Sequence, residues 1–155
     1  MIIALGCDHA GFHLKTAVAE HLKSIGCDVV DHGCYSADAV DFPDIARLVC
    51  HSVLRGEAAR GIMVCGTGVG ASIAANKIPG IRAAVCHDYH SAHQSVEHDD
   101  VNVMCVGAQI VGAWLVKDLI SSYVTATFST EEQFRRRVEK LAVLEREAAS
   151  MIKPE

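Results

Sequence analysis

The run Cys65-Gly66-Thr67-Gly68-Val69-Gly70 sets a thiol directly before three glycines at alternate positions. Glycines so spaced let a backbone turn tightly, and successive N–H groups at a helix start form an anion cradle. The run is not a P-loop, since no Gly-Lys-Ser/Thr follows. Its third glycine also comes too early for a dinucleotide fingerprint. Two readings fit it: a tight strand-to-helix connection, or a cradle for a charged ligand. Cys65 is then either a small core side chain or a thiol whose pKa a helix N-terminus lowers, fit to act as nucleophile or base. Thr67 could hydrogen-bond that thiol or a developing oxyanion.

Asp8-His9 offers a carboxylate beside an imidazole, either a helix cap with a surface histidine or an acid/base group beside a substrate anion. His87, His90, His93 and His98 lie close in sequence to Asp88, Asp99 and Asp100. No His-Glu-x-x-His motif or cysteine pair accompanies them, so solvated helix histidines are preferred over a metal site. Arg135-Arg136-Arg137 is either a solvated helix face or a phosphate contact, for which planar guanidinium donors are suited.

These residues need a scaffold, and short apolar runs alternate with helix-period patterns along the chain. Strands are expected at Ile2–Leu5, Val29-Val30, Ile62–Cys65, Arg82–Cys86 and Val101–Val106. Helices are expected at Phe12–Ile25, Asp44–Arg55, Ala71–Lys77, Asp88–Glu97 and Ile110–Thr125, with a last one over about 131–150. The last helix follows a capping-box pattern, Ser129 with Glu132 or Thr130 with Gln133. Its apolar stripe of Phe134, Val138, Leu141 and Leu144 is read as core, or as a surface that packs on a partner subunit. Repeated β-α units imply an α/β fold: a three-layer α/β/α Rossmann-like sandwich around a five-stranded parallel sheet. Such sheets bind ligands beyond the carboxyl ends of their strands. That rule gathers Asp8, His9, Cys65, Thr67, His87 and Asp88, and the helix after the fourth strand adds His98 and Asp99.

The chain has 155 residues, half of them apolar and 21% charged, so residues 1–155 are read as a single folded domain. A net charge of −5 argues against a nucleic-acid binder driven by bulk charge. No apolar run reaches the about 18 residues of a membrane span, and the start lacks a basic signal-peptide region. Seven cysteines without a Cys-x-x-Cys pair are read as reduced thiols, and the location as cytoplasmic.

Together the motifs resemble the ribose-5-phosphate isomerase B family, which includes galactose- and allose-phosphate isomerases. The resemblance rests on Gly6-Cys7-Asp8-His9-Ala10-Gly11, Cys65 to Gly70, Ile73-Ala74-Ala75-Asn76-Lys77 and Pro79-Gly80-Ile81-Arg82-Ala83. It continues through Ser91-Ala92, His98-Asp99-Asp100-Val101-Asn102-Val103 and Arg137-Val138-Glu139, covering residues 1 to about 145. It implies aldose–ketose isomerisation of a sugar phosphate without cofactor, nucleotide or metal. It also implies a homodimer with active sites shared between chains, or a tetramer built from it. Cys65 would be the base that moves a proton between C1 and C2, supported by Thr67. The N–H groups of Gly66, Thr67, Gly68, Val69 and Gly70 would hold the enediolate oxygen. His98 would open the sugar ring with Asp8, and His9, Arg137 and Arg136 would bind phosphate. Some members use a glutamate just after the glycine loop as base; that place is Ala71 here.

The sequence departs from the family pattern at several of these places. Asp99 stands where the family has Asn, Gln109 and Gln133 where it has Arg, and Phe42 where it often has Tyr. Each missing guanidinium removes roughly 1.5–3 kcal/mol of phosphate affinity where it made a charged hydrogen bond. Ribose 5-phosphate and ribulose 5-phosphate are the first expectation. Another sugar phosphate (allose or galactose 6-phosphate, or a tetrose phosphate) and a non-catalytic phosphosugar-binding module are the alternatives.

Overall fold

The computed structural model describes residues 1–151. Five strands alternate with helices: β1 (Ile2–Cys7), α1 (Phe12–Ser24), β2 (Asp28–Asp31), α2 (Phe42–Leu54), β3 (Arg60–Cys65), α3 (Val69–Ala75), β4 (Ala83–Val85), α4 (Tyr89–Asp99), β5 (Val103–Gly107), α5 (Ala113–Thr125) and α6 (Glu132–Met151). All pairings are parallel and the strand order is β2-β1-β3-β5-β4. The expected sandwich is therefore what forms.

Strand alternation sorts the core into two layers. Ile3, Leu5, Ile62, Val64, Met104 and Val106 face a layer that includes Val18, Leu22, Val96 and Leu119, from α1, α4 and α5. Ala4, Met63, Cys65, Val103 and Cys105 face Ala46, Val49, Ala71 and Ala75 from α2 and α3. The chain leaves β1 toward β2 on one side and returns through α2 to β3 on the other, so a topological switch point opens between the carboxyl ends of β1 and β3.

Element boundaries shift from the expected ones for local reasons. α2 begins at Phe42 because Pro43, with its fixed φ, suits the first helical turn. α3 begins at Val69, inside the glycine run, because Gly68 takes a left-handed φ of 79° that turns the strand into the helix. α5 begins only at Ala113, since the N–H groups of Ile110 and Val111 both bond back to the Gly107 carbonyl in a turn. α4 starts where expected, with the Asp88 carboxylate accepting from the Ser91 N–H at 2.8 Å.

α6 packs against α4 and has no buried residue. Leu141 and Leu144 on its apolar stripe are exposed, so within one chain this stripe is not core. No helix of the described residues is long and apolar enough to cross a membrane.

Candidate active site

The carboxyl end of β3 delivers Cys65 to the switch point, and the end of β1 delivers Asp8 opposite it. Both are buried, at 7% and 5% exposure. The Asp8 main-chain N–H donates to the Val64 carbonyl at 3.1 Å, which ties the two strand ends together. One Asp8 carboxylate oxygen accepts from the Gly11 N–H at 2.9 Å, and the carboxylate lies beside the Cys65 thiol.

The glycines here are required by close approach. A β-carbon on Gly11 would sit 2.1 Å from the Val64 carbonyl oxygen, and one on Gly107 would sit 2.7 Å from the Thr67 carbonyl carbon. The glycine loop is thus wedged between the start of α1 and the end of β5. The Ala108 and Gln109 N–H groups donate to the Cys65 and Gly66 carbonyls, at 2.8 and 3.0 Å. Gln109 lies with its amide over Gly66, where a β-carbon would be 3.5 Å from it. Phe42 stands over Gly70 in the same way.

Within the loop, the Val69 N–H donates to Thr67 Oγ1 at 3.3 Å, and Thr67 and Val69 are exposed. Among the described residues, no main-chain carbonyl accepts from the N–H of Thr67 or Gly70. These donors are available to an anion. His9 is exposed at the same edge, its Nδ1 accepting from the Val40 N–H at 3.3 Å.

The expected depression of the Cys65 thiol is overturned. Its pKa lies above the ordinary 9.0, first because burial disfavours the thiolate and second because Asp8 adjoins it. The N–H groups of Gly68 and Ala71 pull the other way, as a helix start should, and are outweighed.

A second correction concerns His98 and Asp99. They do not join this cluster within one chain. α4 starts at the carboxyl edge of the sheet and runs back, so its last turn lies at the amino edge, just before β5. The register pairs Cys65 with Gly107 and Gly61 with Val103. Four residue steps, about 13 Å of strand, therefore separate the two edges. At the amino edge the His98 ring stacks on Phe134, with centroids 3.9 Å apart and planes 16° from parallel. Phe134 was expected only as part of an apolar stripe; nothing in its spacing marks it as a platform for a histidine.

The late arginines separate by their contacts. Arg137 lies over the Phe134 ring, its guanidinium carbon 5.7 Å from the centroid, and the same ring carries His98. Arg136 is engaged by Glu132 at 2.8 Å, and Arg135 lies over Phe128. Gln133, four residues before Arg137 and so on its side of the helix, donates to Glu131 at 2.7 Å. His87 proves structural: its Nε2 accepts from the Gly107 N–H at 2.9 Å and fixes the end of β5. The structure thus brings together Asp8, His9, Cys65 to Gly70 and Gln109 at one edge, and His98, Phe134 and Arg137 at the other.

Comparison with known proteins matches this arrangement to one family. The family model described as Ribose/Galactose Isomerase matches residues 3–141. Ribose-5-phosphate isomerase B of Escherichia coli is 43% identical over 143 residues, covering 92% of this chain and 95% of that protein. D-erythrulose-4-phosphate isomerase of Pectobacterium atrosepticum is 38% identical over 130 residues, covering 81% and 84%. The solved ribose-5-phosphate isomerase B of Clostridium thermocellum superposes with a TM-score of 0.92 at 42% identity, covering 96% of this chain and 99% of that one. The chain therefore belongs to the ribose/galactose isomerase family and is an aldose–ketose isomerase.

Proposed function

We propose that the protein interconverts D-ribose 5-phosphate and D-ribulose 5-phosphate through an enediolate, in sites shared between two copies of the chain. The observation that carries this reading is Cys65, buried beside Asp8 under a glycine loop whose Thr67 and Gly70 N–H groups are free for an anion. A proton alpha to a carbonyl is weakly acidic, so an enediolate needs both a positioned base and preorganised donors. The Cys65 thiolate takes the proton from C2 of the open-chain aldose and returns it to C1. The loop N–H groups hold the oxygen on which charge develops, and the Thr67 hydroxyl stands at the mouth of the loop.

Ring opening needs an acid on the ring oxygen and a base on the anomeric hydroxyl. Asp8 serves as the base, and His98 of a second copy as the acid. The distance between sheet edges within one chain is the reason the second copy is invoked. The same copy brings Arg137, and with it Gln133, to the phosphate that His9 meets from the carboxyl edge. The apolar, uncovered stripe of α6 gives the two copies a surface to share.

Asp99, Gln109 and Gln133 bear on which sugar fits. A carboxylate at 99 accepts hydrogen bonds from sugar hydroxyls but donates none. The Pectobacterium relative, named for a four-carbon substrate, makes a tetrose phosphate the second reading.

A coupled assay tests the proposal with ribose 5-phosphate, galactose 6-phosphate, allose 6-phosphate and erythrulose 4-phosphate, each with EDTA present and beside Cys65→Ala. Turnover of ribose 5-phosphate that survives EDTA and falls about 10²–10⁴-fold in the variant is expected. Undiminished turnover in Cys65→Ala overturns the role of the thiol. Preference for another sugar phosphate moves the substrate and keeps the mechanism.

A further inference from the structure

Seven cysteines lie in the chain, and one pair among the described residues brings its sulfurs into contact: Cys7 and Cys34, with Sγ atoms 3.5 Å apart. Their backbones are neighbours as well. The Cys7 N–H donates to the Gly33 carbonyl at 2.6 Å, and the Cys34 N–H donates to the Cys7 carbonyl at 2.7 Å. Extended segments bonded in this way run about 5 Å apart, inside the roughly 4.4–6.8 Å range of α-carbon separations that a disulfide spans.

Two further features distinguish this pair from the other buried thiols. Lys15, itself 7% exposed, donates to the Cys34 carbonyl at 2.7 Å and pairs with Asp31 at 2.9 Å, so an ammonium group adjoins the sulfurs. Its charge favours the Cys7 thiolate, against burial and the neighbouring thiol. In addition, Cys34 lines a surface recess of about 340 Å³ with His32, Tyr35, Ser36, Val40 and Ile45. Cys34 is 5% exposed at this recess, while Cys7 has no exposure of its own.

We propose that Cys7 and Cys34 form a reversible dithiol–disulfide site, oxidised by low-molecular-weight disulfides that enter at Cys34. The Cys34 thiolate attacks one sulfur of the small disulfide, giving a mixed disulfide and expelling one small thiolate. The Cys7 thiolate attacks Cys34 Sγ, closes the internal disulfide and expels the second. The two protons lost by the cysteines protonate the two leaving thiolates. The protein gives up two electrons and the small disulfide is reduced to two thiols. Within a reducing compartment such a bond is transient, which suits a sensor rather than a staple.

The position gives oxidation a consequence. Cys7 is covalently joined to Asp8, and closing the sulfurs from 3.5 Å to about 2.05 Å draws the end of β1 toward the loop. Asp8 then shifts against Cys65, and displacements of this order cost large factors in turnover. This consequence rests on the isomerase reading; the bond itself does not.

The test uses the reduced full-length protein treated with oxidised glutathione, quenched with iodoacetamide and digested with trypsin. A mass loss of about 2 Da per chain is expected, with a linked peptide pair containing Cys7 and Cys34. The link should vanish in Cys34→Ser and persist in Cys27→Ser, since Cys27 shares a tryptic peptide with Cys34. Turnover should fall at least about tenfold on oxidation and return with dithiothreitol. In Cys34→Ser it should be unchanged by the same treatment. Melting curves of both variants confirm folding, and Cys34→Ala replaces Cys34→Ser if the serine form melts low. Absence of the link, or a link to another cysteine, overturns the proposal, and a link with undiminished turnover overturns its consequence for Asp8. The peptide readout holds on a protein that turns over none of the sugars tested, so its failure is separate from failure of the isomerase reading.

Discussion

At the carboxyl edge of the sheet, Cys65 and Asp8 are almost wholly buried, and glycines press main chain against main chain around them. At the amino edge, Asp99, Gln133, Arg136 and Arg137 are exposed, and α6, which carries the last three, buries nothing. The first region is preorganised by the chain's own packing, as a site that stabilises developing charge requires. The second is a set of charged and aromatic groups laid on the surface between α4 and α6, with the His98 ring stacked on Phe134 and Arg137 over the same ring. In the proposed reading, a second copy of the chain faces this region and completes the site.

The contrast predicts that damage at the two edges will look different. At the carboxyl edge, Gly11→Ala forces a β-carbon toward the Val64 carbonyl, from which it would be 2.1 Å. Backbone on both sides leaves no flexible group to yield, so a loss of about 3 kcal/mol in stability is expected from denaturant unfolding, with turnover lost alongside. A variant as stable as the parent would show that the β1–β3 junction is looser than described.

At the amino edge, Arg137→Ala should leave the melting temperature unchanged while weakening substrate binding. A charged hydrogen bond to phosphate is worth about 2 kcal/mol, or about 30-fold in KM. Arg136→Ala, which breaks only an exposed pair with Glu132, should change KM little. Equal effects of the two would erase the distinction drawn from the Phe134 platform.

The smallest effect concerns the buried thiols. Burial pushes Cys50 up to about 11, and burial with the Cys34 contact pushes Cys7 up to about 12. In the unfolded chain both ionise near the ordinary 9.0. Above that pH the unfolded state has lost protons that the folded state keeps, so stability declines as pH rises from about 9 toward 11–12. Melting temperatures at pH 8, 9, 10 and 11 should fall over that interval, and Cys50→Ala should flatten the fall. A flat profile in the parent would contradict the burial argument.

Much of this molecule was legible in its sequence. Runs such as Ile62–Cys65 and the stripe of Leu14, Val18 and Leu22 carry strand and helix signals that the parallel sheet only has to assemble. Asp8 and the 65–70 loop could be placed at one site because both follow strands, and parallel strands end at one edge. The same reasoning does not bring His98 to that edge within one chain, because it lies at the end of its helix rather than at the start. Helix phase alone could not choose among Arg135, Arg136 and Arg137; the contacts with Phe128, Glu132 and Phe134 separate them. The Cys65 thiol was misjudged for a related reason. The helix start is a local feature visible in sequence, whereas burial and the facing Asp8 are tertiary.

The central claim is that one functional site draws on both edges through two copies of the chain. Cys65→Ala and His98→Asn, each inactive alone, are to be mixed, dissociated and allowed to re-associate. In the hybrid of a two-fold dimer, one site carries both lesions and the other carries neither. Random exchange then restores about a quarter of the parent turnover. Recovery near that level, absent without subunit exchange, is the result this account predicts. No recovery, with hybrids shown to form by native mass spectrometry, would contradict it and place Cys65 and His98 in service of the same chain's site.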